Sequence, residues 1–253
     1  MQTPAPPSGP KAMTIFPRLL PAGDTALVVE LGDEVSLAVN ARVRALDRLV
    51  AAAKIPGISE TLPTNRSLLV LYEPLVIDHR DLCRAIIALI EQVPQNPAES
   101  GGRSWIVPAV YGGAFGVDLA RVAAALRLTE DVVIERHAAR AYRVFMIGFQ
   151  PGFSYLGELD SALAVSRLDE PRGEVAAGTV SIAGVQTVIN SVAAPSGWNL
   201  IGRTPVRLFD LRRSAPFLLA PGDRVRFRPV PHDAWAALDG RAAAGDPVAE
   251  PAP

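Results

Sequence analysis

The sequence predicts an α+β N-terminal domain followed by a mainly β domain, and three observations lead to this fold class. A segment containing Pro, Gly and polar residues, Glu91 to Ser104, divides the 253-residue chain into two blocks. The first block combines short β-rich runs with two amphipathic helical patterns, which is typical of a small α/β sandwich. From Tyr142 onward, the second block consists of short apolar runs broken by Gly and Pro, which indicates a β-barrel or sandwich.

The same changes in composition set the expected domain boundaries. Both ends of the chain are rich in Pro, Ala and Gly, so we expect mobile termini. The predicted divisions are a disordered tail at 1–12, a small α/β sandwich domain at 13–93, a linker at 94–104, a β-barrel domain at 105–231 and a flexible tail at 232–253.

The first block predicts two strands and two helices. The runs Thr25–Leu31 and Ser67–Glu73 are short and β-rich. Between them, apolar residues spaced three and four apart form one face of a helix, with Asp33 placed to cap its start and Pro56 preventing its continuation. A second amphipathic helix is predicted over Asp78–Glu91. The apolar face of the first helix consists of Val35, Val39, Val43, Leu46 and Val50.

The second block opens with a strand, WIVPAVYGG, that starts at Trp105 and precedes two short helices. The second helix starts at Thr129 and has two acidic residues in its first turn, where the helix dipole favours negative charge. The β runs that follow are YRVFMIGF, TVSIAGVQTVI, WNLIGRTPVRLFD and DRVRFRPV. In the last run, Val225 and Phe227 alternate with Arg, which predicts a half-buried strand.

Composition and motif content argue against several classes of function. The net charge of −1 argues against a nucleic-acid partner, because phosphate-binding surfaces need a basic excess. The chain has no Gly-Lys pair for a P-loop and no G-x-S-x-G motif. Cys83 is the only cysteine and the three histidines are not spaced as metal ligands, so we expect no disulfide and no metal site. Without a signal-peptide pattern or a run of about 18 apolar residues, we expect a cytoplasmic protein that does not contact membranes.

The stretch FMIGFQPGFSYLGEL, Phe145–Leu159, concentrates aromatic residues, Gly and Pro where connecting chain is usually polar. Its glycines permit close backbone approach, and its Pro fixes one side of a turn. The sequence leaves two interpretations open: a hydrophobic plug that closes the barrel end, or the wall of a mostly apolar binding pocket. The residues concerned are Phe149, Pro151, Gly152, Phe153 and Tyr155.

A second unusual stretch, Ser181–Pro205, places hydrogen-bonding side chains between apolar strand residues. Buried polar groups need partners, so this density predicts either an internal network or a ligand site. Arg203 is positioned either to clamp a carboxylate with two hydrogen bonds or to bond loop carbonyls as a structural residue. The polar residues of the stretch are Gln186, Thr187, Asn190, Asn199, Arg203 and Thr204.

These two stretches carry a resemblance to a known family. GFQPGFSYLGEL, followed by IAGVQT and PSGWNLIGRTPVRLFD, resembles the bacterial 5-oxoprolinase B-subunit family. The same family is also called allophanate hydrolase subunit 1, carboxyltransferase domain subunit and KipI histidine-kinase inhibitor. The similarity extends from about Thr14 to Pro231 and includes VYGGAFGVDL, which starts at Val110.

The resemblance implies a cyclophilin-like β-barrel after the linker. It also implies a complex with a homologous C-subunit, which is allophanate hydrolase subunit 2-like, and with a third 5-oxoprolinase subunit. That complex opens 5-oxo-L-proline to L-glutamate at the expense of ATP, at a site that no P-loop of this chain provides, and the isolated chain is expected to be inactive.

The resemblance, together with the chemistry of amide opening, also suggests site residues. Opening an amide requires donors that stabilise charge on its oxygen, and Arg203, Gln186 and Thr187 are the catalytic candidates. The substrate-binding candidates are Phe149, Pro151, Gly152, Phe153, Tyr155, Asn190, Trp198 and Thr204.

The chain departs from the family pattern at several positions of these motifs. Ser154 replaces a Pro, Val188 replaces a Gly, and Asn190-Ser191 replaces a Tyr-Pro pair. These departures predict a conserved fold and leave open a different amide or lactam substrate. Two alternatives use the same fold: a KipI-like inhibitor of a sensor histidine kinase, and a carboxyltransferase or allophanate-hydrolase-type subunit. A neighbouring gene for the C-subunit, for a biotin carboxylase or for a sensor kinase would discriminate among them.

Overall fold

The computed structural model describes residues 15–97 and 101–252, and it divides them into an α/β domain and a β-barrel domain. The tail expected at 1–12 lies outside the described residues. The elements of the N-terminal domain are β1 (Arg18–Pro21), β2 (Ala26–Glu30), α1 (Leu37–Ala53), β3 (Ile58–Pro63), β4 (Ser67–Tyr72) and α2 (His79–Ile90). Its four antiparallel strands form a sheet in the order β1-β2-β4-β3.

The helices of the N-terminal domain begin where local side chains satisfy free backbone N–H groups. The helix α2 starts after Asp78, whose side chain accepts a hydrogen bond from Asp81 N at 2.9 Å, and the prediction of this helix is confirmed. The predicted cap of α1 is wrong, because Ser36, not Asp33, accepts a hydrogen bond from Val39 N. Helix α1 therefore begins at Leu37, two residues after the first apolar residue of the expected face.

The second domain is a closed barrel of seven strands. These strands are β5 (Ser104–Tyr111), β6 (Ala141–Ile147), β7 (Ser154–Gly157), β9 (Thr179–Ala183), β10 (Gln186–Ile189), β12 (Asn199–Arg203) and β13 (Arg224–Pro229). Strand β5 pairs with β12 on one side and with β13 on the other, which joins the two ends of the order β12-β9-β10-β7-β6-β13. The expected fold class, an α+β domain followed by a cyclophilin-like barrel, is confirmed.

Further elements surround the barrel. A separate two-stranded sheet is formed by β8 (Arg172–Val175) and β11 (Ala194–Ser196). Helices α3 (Leu119–Leu126) and α4 (Glu130–Ala138) pack against barrel strands and each other. Within the described residues, none of the helices has the length and apolar character needed to cross a membrane.

The segment expected as a flexible tail at 232–253 instead forms a helix and a strand, α5 (Ala234–Ala244) and β14 (Glu250–Pro251). Strand β12 pairs with only the last two residues of β5, so the start of β5 remains available, and β14 pairs with it there. The Arg228 guanidinium donates to both carboxylate oxygens of Glu250, at 2.8 and 2.7 Å. Tertiary pairing therefore orders a segment whose composition indicated mobility.

The two domains are joined by side-chain hydrogen bonds. The Asn40 side chain donates to the carbonyl oxygen of Phe145 at 3.1 Å, in the buried region between α1 and β6. Asn65 and Gln186 exchange two amide hydrogen bonds, each 3.2 Å long. Strand β10 therefore has one face toward the N-terminal domain at Gln186, and this contact positions the segment that carries most of the predicted polar residues.

Candidate functional site

The aromatic loop between β6 and β7 is a tight, hydrogen-bonded turn. Gly148 N donates to the Phe153 carbonyl at 3.2 Å, and Phe153 N donates to the Gln150 carbonyl at 3.1 Å. Phe149 has a φ of 69°, a left-handed conformation that costs a non-Gly residue about 1–3 kcal/mol. Its side chain is 64% exposed. The loop thus holds a large apolar ring in solvent, on a backbone that is rarely adopted by such a residue.

Gly152 brings the aromatic loop against two other segments. It has a φ of 77°, and a Cβ atom at this position would lie 3.0 Å from Phe209 Cβ and 3.3 Å from Ser191 Cβ. Only Gly fits this combination of backbone angle and close approach. The predicted importance of Gly152 is therefore structural in this geometry, since it fixes the loop beside the segment that follows β10.

Four aromatic side chains form a continuous row along the loop and beyond it. The ring centroids of Phe149 and Phe153 are 5.5 Å apart, and those of Phe153 and Tyr155 are 4.8 Å apart. Tyr155 and Trp198 meet edge to face at 6.3 Å. These separations lie in the favourable range for aromatic pairs, so the row is a rigid apolar surface.

The aromatic row lines an open groove with a volume of about 240 Å³. The aromatic stretch contributes Phe149, Phe153 and Tyr155 to the groove lining, with Phe153 buried and Phe149 exposed. The two stretches singled out in the sequence meet here. The lining residues are Phe149, Phe153, Tyr155, Arg167, Pro171, Pro195, Ser196, Gly197 and Trp198.

Arg167 is the basic residue of the groove lining. Its segment is fixed by two bonds: Leu168 N donates to the Gly197 carbonyl at 2.7 Å, and the Asn199 side chain donates to the Ser166 carbonyl at 2.8 Å. Its own side chain is exposed and makes no hydrogen bond or ion pair within the described residues. The groove therefore combines aromatic walls with one guanidinium that has no protein partner in the described chain.

The three predicted catalytic residues do not line the groove. Arg203 donates from Nε to the Ala177 carbonyl at 2.8 Å, and its guanidinium lies 4.8 Å from the centre of the Trp235 ring. Burial lowers the pKa of Arg203 from its ordinary value. Gln186 is engaged by Asn65. These partners correspond to the structural alternative considered for Arg203.

Thr187 points into the barrel and belongs to a closed polar network. Its hydroxyl donates to the Ser181 carbonyl at 3.1 Å and lies 3.0 Å from His137 Nε2. The other ring nitrogen, Nδ1, lies 2.8 Å from the Tyr111 hydroxyl. Because the Thr187 proton is used toward Ser181, a consistent arrangement has Nε2–H donating to Thr187 and the Tyr111 hydroxyl donating to Nδ1. Burial lowers the pKa of His137 to about 3, so this histidine is neutral.

The remaining predicted residues occupy different environments. Asn190 is fully buried, and neither atom of its amide has a partner within the described residues; the same holds for the nearby Ser191 hydroxyl. The Thr204 hydroxyl accepts a hydrogen bond from Val206 N at 3.2 Å, as part of a turn. Pro151 is exposed in the aromatic loop and does not line the groove.

A second cavity of about 260 Å³ lies beneath the C-terminal segment, and its polar residues are already paired. Arg207 bonds Asp239 at 2.7 Å, Asp210 accepts from Arg212, and Arg213 donates to two carbonyls. In residues 15–97 and 101–252, no group of three or more His, Cys, Asp or Glu side chains is arranged to hold a metal ion. The aromatic groove is therefore the better candidate site.

A family model and two curated relatives place the chain in the same family. The family model described as carboxyltransferase domain, subdomain C and D, matches residues 17–219. A protein of Escherichia coli O157:H7, named as the B-subunit of 5-oxoprolinase, is 43% identical over 212 residues, which cover 82% of this chain and 93% of that protein. A Bacillus subtilis (strain 168) protein of the same name is 35% identical, with 85% and 93% coverage. The chain belongs to the 5-oxoprolinase B-subunit family.

A solved structure extends this relationship at the level of the fold. The crystal structure of the Kluyveromyces lactis urea amidolyase matches with a TM-score of 0.78 at 20% identity, over 96% of this chain and 17% of the amidolyase. This chain therefore corresponds in fold to one part of that longer enzyme. The similarity in fold covers both the α/β domain and the barrel of this chain.

Sequence reasoning about this member of the 5-oxoprolinase B-subunit family did not identify Arg167. The residue lies in an ordinary stretch, AVSRLDEP, and no motif separates it from the other 22 arginines of the chain. Its role in the groove depends on contact with a segment 30 residues later, around Gly197. The aromatic residues were found because aromatic and Gly content in a loop is itself a local signal.

Proposed function

We propose that this chain is the B-subunit of an ATP-dependent complex that opens 5-oxo-L-proline to L-glutamate. Relatives named as 5-oxoprolinase B-subunits and the carboxyltransferase-domain family model support a subunit of a 5-oxoprolinase or allophanate-hydrolase-type system. The observation that carries the proposal is the groove, in which four aromatic rings flank an unpartnered guanidinium. A small ring that bears an anionic group fits such a lining.

The chemistry requires more than this groove supplies. An amide is a poor electrophile, so the γ-phosphoryl group of ATP is transferred to the lactam oxygen and ADP leaves. Water then attacks the activated carbon, the C–N bond breaks to give the amine, and release of phosphate leaves the carboxylate. The groove lining described here contains no Asp, Glu, His, Cys or Lys that could act as a base or nucleophile. The Ser196 hydroxyl in the lining already accepts a hydrogen bond from Trp198 N at 3.2 Å.

We therefore assign the groove to substrate binding and the bond-breaking groups to partner proteins, a homologous C-subunit and a third 5-oxoprolinase subunit. The groove lining contains a single guanidinium that could contact a triphosphate, so the groove residues do not fit an ATP site. The chain also has no P-loop. ATP binding is accordingly placed on a partner. On this proposal the isolated chain binds the lactam and does not open it.

The test is glutamate release from 5-oxo-L-proline and ATP by the other two proteins of the complex, with and without this chain. We expect release only when all three proteins are present. A matched reaction with the Phe153→Ala chain, which removes a ring from the groove, should show a loss of activity while the complex still forms. A stable complex that releases no glutamate would refute the proposed substrate and direct attention to other amides.

A further inference from the structure

We propose that Arg167 is the carboxylate-binding residue of the aromatic groove, so that the ligand of this chain is a small ring bearing a carboxylate. The identity of that ring as 5-oxo-L-proline rests on the proposed function, but the chemical class does not. Arg203, one of whose two expected roles was to clamp a carboxylate, bonds the Ala177 carbonyl, stacks on Trp235 and does not line the groove, whereas Arg167 does.

The absence of a protein partner distinguishes Arg167 from nearby arginines. Arg172 bonds Asp118 at 2.8 Å, and Arg136 bonds Asp160 at 3.1 Å. Arg167 is followed closely in sequence by Asp169 and Glu170, yet it forms no ion pair within residues 15–97 and 101–252. Its planar guanidinium therefore remains free to bind a carboxylate through two parallel hydrogen bonds.

Tyr155 supplies a second donor in the groove lining. Its hydroxyl makes no hydrogen bond within the described residues, and Tyr155 and Arg167 both line the groove. Partial burial raises the pKa of Tyr155, an effect that the positive charge of Arg167 partly offsets, so the phenol stays protonated at neutral pH. A guanidinium and a neutral hydroxyl are a suitable donor set for one carboxylate.

Gly197 lies in the groove lining next to the Arg167 guanidinium. A Cβ atom built at Gly197 would lie 3.5 Å from Pro171 Cγ and 3.7 Å from Arg167 Nη2, which is ordinary van der Waals contact. A single methyl group would fit there, whereas a longer side chain would fill the space in front of the guanidinium. The groove can therefore be blocked at a position that requires no special backbone conformation.

The aromatic row selects the rest of the ligand. Phe153, Tyr155 and Trp198 present ring faces and edges that favour a compact apolar or planar ring over an extended polar chain. A five-membered lactam with one carboxylate satisfies both parts of the site. A lactam without a carboxylate satisfies only the aromatic part, and this difference is the basis of the test.

The test compares the binding of two probes, 5-oxo-L-proline and 2-pyrrolidinone, to the full chain by saturation-transfer NMR and calorimetry. We expect Arg167→Met to weaken 5-oxo-L-proline binding about ten-fold or more, because a charge-assisted pair is lost, and to leave 2-pyrrolidinone binding unchanged. Arg167→Lys should recover part of the affinity. Arg48→Met, at an exposed arginine of α1 in the other domain, is the matched control and should change neither value.

A second variant, Gly197→Leu, and a measurement of KM in the assembled complex test the same site independently. Gly197→Leu should weaken both probes, with a thermal unfolding midpoint close to that of the unchanged chain. In the assembled complex, Arg167→Met should raise the KM for 5-oxo-L-proline about ten-fold with a smaller change in kcat. Equal loss of both probes in Arg167→Met, or no loss of either, would overturn the inference.

The inference and the proposed function fail in different ways. Glutamate release with an Arg167→Met chain whose Kd and KM are unchanged would reject Arg167 and leave the function standing. An Arg167-dependent affinity for another cyclic carboxylate, such as L-proline, in a complex that releases no glutamate would retain the carboxylate site and reject the substrate. Absence of measurable binding of either probe to the chain and to the complex would reject the site.

Discussion

The two faces of strand β10 show how differently polar residues of one stretch are used. Thr187 faces the barrel interior, where its hydroxyl, His137 and Tyr111 form a network in which every side chain has a partner. Three residues later, Asn190 is just as deeply buried, but its amide has no partner within the described residues. Gln186, at the start of the strand, bonds to the other domain.

This difference shows that a high proportion of polar residues in one stretch of sequence does not by itself indicate a ligand site. A buried network that is complete stabilises the fold and leaves no hydrogen-bonding capacity for a substrate. Asn190 follows directly on Ile189, which pairs with Ser154, and a Cβ atom at Gly152 would lie 3.3 Å from Ser191 Cβ, so this segment lies beside the aromatic loop. The unpartnered atoms of Gln150, Asn190 and Ser191 therefore lie in or next to the aromatic loop, whereas the Thr187 hydroxyl is satisfied inside the barrel.

The largest expected effect comes from removing the centre of the inner network. His137→Ala leaves a cavity beside Phe227 and removes the partners of Tyr111 and Thr187, so we expect the free energy of unfolding to fall by about 3–5 kcal/mol. Urea unfolding monitored by circular dichroism measures this change. His232→Ala, at a partly exposed histidine, is the comparison, and an equal loss in both variants would contradict a special role for the inner network.

Thr187→Val tests the network more gently and also tests the predicted catalytic role of Thr187. The substitution keeps the shape of the side chain but leaves His137 Nε2 and the Ser181 carbonyl without this hydroxyl, so we expect a loss of about 1–3 kcal/mol in stability. At a temperature where the variant is folded, the assembled complex should keep its kcat. A kcat loss of about a hundred-fold with unchanged stability would instead place Thr187 in the chemistry.

The pH dependence of stability follows from the neutral state of His137. Its pKa falls from the ordinary value of 6.5 to about 3 on folding, so above pH 6.5 the histidine is neutral in both the folded and the unfolded chain and the network keeps its full stability. As the pH falls below 6.5, the unfolded chain takes up a proton that the folded chain does not, which costs about 1.4 kcal/mol per pH unit. The urea midpoint of unfolding should decrease as the pH is lowered from 7 to 5. The dependence of the midpoint on pH should be smaller in His137→Gln. If it is unchanged in this variant, another group causes the effect.

The smallest expected effect concerns Asn190, whose side-chain amide has no partner among the described residues. Asn190→Leu removes an amide whose two polar atoms are buried without partners among the described residues, so we expect the isolated chain to gain about 1 kcal/mol of stability. Asn199→Leu is the matched control, because the Asn199 amide bonds the Ser166 and Ile182 carbonyls and accepts from Arg121, and its loss should be destabilising. If Asn190→Leu destabilises the chain as Asn199→Leu does, the unpartnered amide of Asn190 stabilises the fold like a bonded one. The contrast between satisfied and unsatisfied polar residues would then be refuted.

Local patterns in the sequence were sufficient for much of the fold. The amphipathic pattern over Asp78–Glu91 identified α2, and the alternation of Val225 and Phe227 with arginines identified β13. The aromatic loop was recognised because Gly, Pro and aromatic residues were concentrated in one place. The C-terminal segment was misjudged, because β14 pairs with an edge of β5 that lies more than 100 residues earlier.

The sequence by itself determined β2, β4 and the two helices of the N-terminal domain, and the composition of the aromatic loop, because these depend on neighbours along the chain; it did not predict β1 and β3, which join the sheet at its edges. The tertiary structure decided which polar residues are free. Gln186 is occupied by Asn65, 121 residues away, Arg203 is stacked on Trp235, and Arg167 is brought to the groove by the segment around Gly197. Hydrogen bonds and charges act between atoms in contact, so a side chain's partner is fixed only once distant segments meet.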